Sequence, residues 1–175
     1  YRPHATNAAC SLEYRVRSYL AANCRQCHQP GGTALGSWDA RIENPLSLAG
    51  IVGGALQNTL GDPGHRVIVP GDAAHSVLLT RISQSGALRM PPLASSVLDT
   101  NAIQLVTAWI NALAGYQSFA QWQTAHFGST NAPLAGATED FDGDGSSNFA
   151  EYLLGTDPQS ASDVWKISIS PNGRT

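Results

Sequence analysis

The 175-residue chain contains a single lysine, a single methionine and three cysteines, and charged residues make up only 13% of it. Each scarcity excludes something. Arginine outnumbers lysine nine to one and is scattered, so there is no basic stripe to follow a phosphate backbone, and nucleic acid is set aside as a partner. No apolar run approaches the length of a membrane span, and the start Tyr1-Arg2-Pro3-His4 lacks the apolar core of a signal peptide. The expectation is therefore a mature or excised segment with no membrane span. Three cysteines are an odd number, which a simple disulfide scaffold does not explain. With 42% hydrophobic residues the chain can build one ordinary core, or one domain plus a small appendage.

The net charge of −3 hides an asymmetry. Residues 1–114 carry eight arginines and six acids, whereas residues 115–175 carry one lysine, one arginine and seven acids. The tail is the acidic part.

Two of the three cysteines fall in Asn23-Cys24-Arg25-Gln26-Cys27-His28, a CxxCH sequence. CxxCH is the attachment sequence for c-type haem, in which the two thiols add across the porphyrin vinyl groups and the adjacent imidazole ligates iron. A structural zinc site would need a second ligand pair, and the one spare thiol, Cys10, lies fourteen residues upstream. A thioredoxin-like redox pair would need alternating strands and helices, which the glycine-rich stretch after Gly31-Gly32 does not offer. For a sixth iron ligand the candidate is Met90, 62 residues after His28 in the loop Met90-Pro91-Pro92. Met or His in that position sets the potential. His65 is the rival, in a Gly-Pro-Gly loop. His75 is expected inside a short helix, and His4 and His126 outside the domain core.

The elements around the motif follow from periodicity and caps. Ser11 caps a helix with Leu12, Val16, Tyr19 and Leu20 on one face, running into the motif. The next stretch is expected to be mostly loop, with a helical turn or two. Asp72 is expected to cap a short helix carrying Val77, Leu78 and Ile82. Asp99 caps the clearest helix, with Ile103, Val106, Ile110 and Leu113 on a stripe, Trp109 beside it and Gly115 as the stop.

This order of helix, CxxCH, loops, short helix, Met-Pro-Pro and terminal helix resembles a class I cytochrome c domain over residues 11–114. The resemblance implies a mainly α fold around a covalent haem c. It also implies thioethers at Cys24 and Cys27, with His28 and Met90 as iron ligands. Pro70-Gly71-Asp72 to Arg81, with Trp38-Asp39-Ala40-Arg41, is similar to cytochrome domains fused to exported bacterial quinoprotein sugar dehydrogenases. With both axial positions filled, the expected function is outer-sphere electron transfer, not catalysis, as a module of or partner to a larger exported dehydrogenase. The alternative is a haem enzyme or gas sensor with an open or labile sixth position. Arg41 and Arg81 are candidate partners for the haem propionates, against the alternative of solvated surface charge. The shortage of lysine points to a mainly apolar docking patch for the redox partner. Haem attachment to CxxCH takes place on the exported side of a bacterial membrane, so a periplasmic or extracellular location is expected.

Residues 115–139 are read as a helix and a polar linker, with Phe119, Trp122 and His126 forming a packing stripe. Residues 140–158 then read DFDGDGSSNFAEYLLGTDP. This is the EF-hand register for Ca2+: Asp140, Asp142 and Asp144 through side chains, Ser146 through its carbonyl, Asn148 directly or through water, and Glu151 with both oxygens. No helix leads directly into the loop, and Ser147 stands where an apolar residue is usual. The segment therefore resembles the single calcium loops of dockerin and thrombospondin type 3-like repeats. Asn148 to Leu154 is the expected exiting helix, stopped by Gly155. Residues 159–175 are expected to form a terminal strand, centred on Val164–Ser170, or to begin another domain.

Overall fold

In the computed structural model, residues 7–92 and 97–165 are described, and the chain divides into two compact units after Tyr116. His4 and most of the strand expected at Val164–Ser170 lie outside the described residues. Among the described residues there are five α-helices and no strand longer than an isolated bridge, so the chain is mainly α. The first unit holds α1 (Leu12–Asn23), α2 (Val77–Ile82) and α3 (Thr100–Ala112); the second holds α4 (Phe119–Phe127) and α5 (Asn148–Leu154).

Each long helix starts where its cap stands. The Ser11 hydroxyl accepts from the Tyr14 amide, and the Asp99 carboxylate accepts from Ala102, so one otherwise orphaned amide is satisfied at each N-terminus. Helical spacing then brings Val16 and Leu20 of α1, and Val106, Trp109 and Ile110 of α3, into one buried cluster. α3 packs on both α1 and α2.

Between α1 and α2 the chain forms no helix; bridges Val52–Ile68, Arg66–Ser76 and Val69–Asp72 knit it instead. Its apolar residues Ile51, Val52, Val67 and Ile68 are buried in the same core. The stretch is mostly loop, with single hydrogen-bonded turns such as Leu48 N–H to the Pro45 carbonyl and Ala49 N–H to the Leu46 carbonyl beside the bridged backbone. Its amides find partners across the loop, as in Ile68 N–H to the Ile51 carbonyl at 3.1 Å. Asp72 does not cap α2. Its carboxylate accepts from Ala74 and His75 in the preceding turn, which places His75 before the helix and leaves Ser76 at the cap position. The hydroxyl of Ser76 is committed elsewhere, to the Asp72 carbonyl and the Val69 amide.

A polar tie that periodicity hides joins α1 to the first loop. Arg17 lies on the buried side of α1 and donates to the carbonyls of Arg41 and Asn44 at 2.6 and 2.7 Å. That loop is braced in turn by buried Asp39, which accepts from the Arg41 guanidinium and backbone and from the Asn44 amide. The Arg41 side-chain bonds hold the Asp39 carboxyl below the ordinary carboxylate range. Its contribution is therefore present above the usual carboxylate pKa and is lost as pH falls through the depressed value. Asp39→Asn should lower the stability of the first unit by about 1.5–3 kcal/mol at neutral pH. Denaturant titrations should show the gap from the parent closing below about pH 4.

Candidate functional site

The CxxCH turn is the winding of α1 carried on past its end. The Cys24 amide bonds to the Leu20 carbonyl, and the amides of Cys27 and His28 both bond to the Cys24 carbonyl, at 3.1 and 2.8 Å. Two thiols and an imidazole thus share one tight turn, all half-buried. The turn is tied forward by Ala34 N–H to the Cys27 carbonyl and by Ala40 N–H to the His28 carbonyl. Gly32 closes over it so tightly that a Cβ there would overlap the Cys27 carbonyl oxygen.

The His28 ring stacks on Trp38, with centroids 4.1 Å apart and planes 23° from parallel. Its Nδ1 is buried and has no hydrogen-bond partner. Burial, and then the nearby Arg81 cation, press its pKa below the ordinary histidine value, which favours the neutral imidazole. Burial, and then the neighbouring Cys27, push the Cys24 thiol up to about 12. Redox-active CxxC pairs depend on a depressed thiol pKa, so a thioredoxin-like role fits this turn poorly.

Arg81 connects the turn to the methionine loop. Its cation acts on His28, its carbonyl accepts from the Met90 amide at 3.0 Å, and its guanidinium donates to the Leu88 carbonyl. Met90 is half-buried beside Arg89, whose side chain is buried and donates to the Val97 carbonyl. Arg41 is engaged differently from the expectation: it is bidentate on Asp39, with a closest approach of 2.7 Å. Its charge is met within the loop. His65, the rival iron ligand, has its Nδ1 on the Thr59 carbonyl at 2.7 Å and faces Asp62 and His75.

In the second unit, α4 opens with a capping box of Ser118 and Gln121, and buries Phe119 and Trp122 against Phe149 and Tyr152 of α5. Ser147 sits at loop position 8 because it caps α5, accepting from the Ala150 amide. Asp140, Asp142 and Asp144 each bring a carboxylate oxygen to within 4.8 Å of the others. One oxygen of Asp142 and one of Asp144 are buried without partners. Asn148 donates its amide to the carbonyls of Leu134 and Gly136, leaving its Oδ1 buried and unpaired. Glu151 is fully buried, and neither carboxylate oxygen has a partner. Burial, and then Asp142, Asp144 and Asp140, raise its pKa to about 7.

No protein-family model, curated protein or solved structure was found to match the chain. The functional reading rests on the site's own residues.

Sequence reasoning missed Arg17, Arg89 and Asp39 as buried polar residues, because charged side chains on a helix or loop read as solvent-facing. The Asp39-Ala40-Arg41 spacing was the available signal for the ion pair. Gly32→Ala should displace the CxxCH turn and destabilise the first unit by roughly 1–3 kcal/mol, as forced overpacking does. The neighbouring Gly31→Ala keeps open space around its Cβ and meets only a backbone cost at φ +76°, so thermal melts of the two variants separate clash from conformation.

Proposed function

We propose that the first unit is an electron-transfer domain with one covalent c-type haem. In this reading Cys24 and Cys27 provide the thioethers, His28 and Met90 are the axial ligands, and the domain is a module of or partner to a larger exported dehydrogenase. The supporting observation is the His28 imidazole: half-buried, biased to the neutral form, on one turn with two thiols. A haem held there supplies one-electron chemistry. The chain's part is to present the donors, exclude water and set the local charge. Cys24, kept protonated by burial, is a poor nucleophile for disulfide exchange with Cys27. The Arg81 cation beside His28 disfavours accumulating positive charge at the site, and so favours the reduced state. With Arg41 spent on Asp39, Arg81 is the better placed of the two arginines to meet a propionate. Leu35 and Leu88, near the two ligand segments in sequence, are exposed by 85% and 44%, which accords with apolar docking of a redox partner.

The test is the absorption spectrum of the full chain produced with haem-attachment machinery, oxidised and then reduced. Sharp reduced c-type bands, with the weak red band of sulfur-ligated ferric iron, are expected, and Met90→Ala should abolish the red band. Failure to attach haem covalently ends the reading. Haem attached, but high-spin and binding carbon monoxide without denaturant, replaces it with the enzyme or sensor alternative.

For the second unit we propose a structural Ca2+ site formed by Asp140, Asp142, Asp144, the Ser146 carbonyl, Asn148 and Glu151. A fully buried carboxylate with two unbonded oxygens is costly unless a cation meets it, and Glu151 supports the site more strongly than the half-buried loop acids do. Calcium at a hundredfold excess over its dissociation constant should stabilise this unit by about 2.7 kcal/mol. Melts with and without chelator check this, and Glu151→Gln should remove most of the calcium response.

A further inference from the structure

The loop before α2 carries a second group of donors that electron transfer does not use. Asp62 Oδ2 lies 3.5 Å from His75 Nε2 and 3.9 Å from His65 Nε2, so one carboxylate oxygen is flanked by two imidazoles. The two rings stand 5.6 Å apart at 62°.

The far side of every donor is held. His65 Nδ1 is 2.7 Å from the Thr59 carbonyl, which can only accept, so Nδ1 carries the hydrogen and Nε2 of the neutral ring keeps a lone pair. His75 Nδ1 is 2.6 Å from Asp72 Oδ2, the carboxylate–imidazole pairing that orients metal-bound histidines. Asp62 Oδ1 accepts from the Gly64 amide at 2.7 Å, leaving Oδ2 as the oxygen turned to the imidazoles. Arg66, the nearest cation in sequence, is turned onto the carbonyls of Pro63 and His65 and not onto either carboxylate. The two Nε2 atoms flank the Asp62 oxygen without all three donors lying within 4.8 Å of one another, and a cation shared by them would draw them together. Two nitrogens and one oxygen, half-exposed, suit a borderline divalent ion with a fourth position open to water.

We propose that Asp62, His65 and His75 form a binding site for one zinc-class divalent ion, with Asp72 and the Thr59 carbonyl as orienting partners. Metal–ligand bonds of about 2.0–2.2 Å put tetrahedral donors about 3.3 Å apart. Binding therefore draws the Asp62 carboxylate and the His75 ring, 43% and 45% exposed, toward the less exposed His65, with each Nδ1 bond serving as the pivot. The site does not depend on the haem reading.

The experiment is calorimetric titration of the full chain with Zn2+, in excess Ca2+ so that the acidic loop does not compete, with X-ray absorption at the zinc edge. One saturable ion is expected, in a nitrogen/oxygen shell showing two imidazoles. Asp62→Asn and His75→Gln should each weaken it tenfold or more, and Asp72→Asn should weaken it roughly tenfold, as loss of an orienting partner does. Sulfur in the shell would assign the ion to Cys24 and Cys27 and overturn the proposal. Absence of saturable uptake, or an affinity unchanged in Asp62→Asn and His75→Gln, would also overturn it. Should a variant fail to fold, the absorption spectrum of the unaltered chain decides between imidazole and sulfur.

Discussion

The first unit depends on burying α1 and α3 in one core although most of the unit's chain separates them. Val16 and Leu20 on one helix, and Val106, Trp109 and Ile110 on the other, are almost wholly removed from water. Apolar burial of this kind is non-directional and contributes roughly 25 cal/mol per Å2. It therefore holds the helices together without specifying the long loop they enclose. That loop is specified by backbone pairing, bridge by bridge, and by the few apolar residues it contributes to the same core. The CxxCH turn inherits its position from α1, so whatever fixes that helix fixes Cys24, Cys27 and His28, while Met90 is tied to Arg81 of α2.

Buried polar groups divide into those the chain satisfies and those it leaves open. Arg17 spans from α1 to two loop carbonyls, and Asp39 accepts from Arg41 and Asn44; both are structural ties. His28 Nδ1 and both oxygens of Glu151 have no partner at all. An unmet buried group is costly, and at both places further donors stand beside it where a cofactor or ion is proposed; Ser83 Oγ, Gln84 Nε2 and the Nε atoms of Arg17 and Arg89 are also buried without partners. Asp62, His65 and His75 are marked instead by geometry, one carboxylate oxygen flanked by two imidazole nitrogens, and there the groups are only partly buried.

Much of the helical skeleton was legible in the chain, because caps and period are local properties. Ser11 and Asp99 stand at the ends of α1 and α3, Asn148 to Leu154 is α5, and Gly155 ends it in the left-handed conformation that only glycine adopts freely. The misreadings share one cause. Asp72 resembled a helix cap, yet its carboxylate serves a turn upstream, and Arg41 resembled a free cation, yet Asp39 holds it. Short polar side chains have several local partners within reach, and the choice between them is made by where the surrounding loop packs.

Sequence alone determined the helical periodicity, the CxxCH and acidic-loop registers, and the charge asymmetry between the two halves, since each is a matter of spacing along the chain. Tertiary structure decided which polar groups were satisfied. It set Trp38 against the His28 ring and Arg81 between His28 and Met90. It also buried Glu151 and brought His65 and His75 to one carboxylate. Those facts concern distances and water exclusion among residues apart in sequence, and only the packed chain sets them.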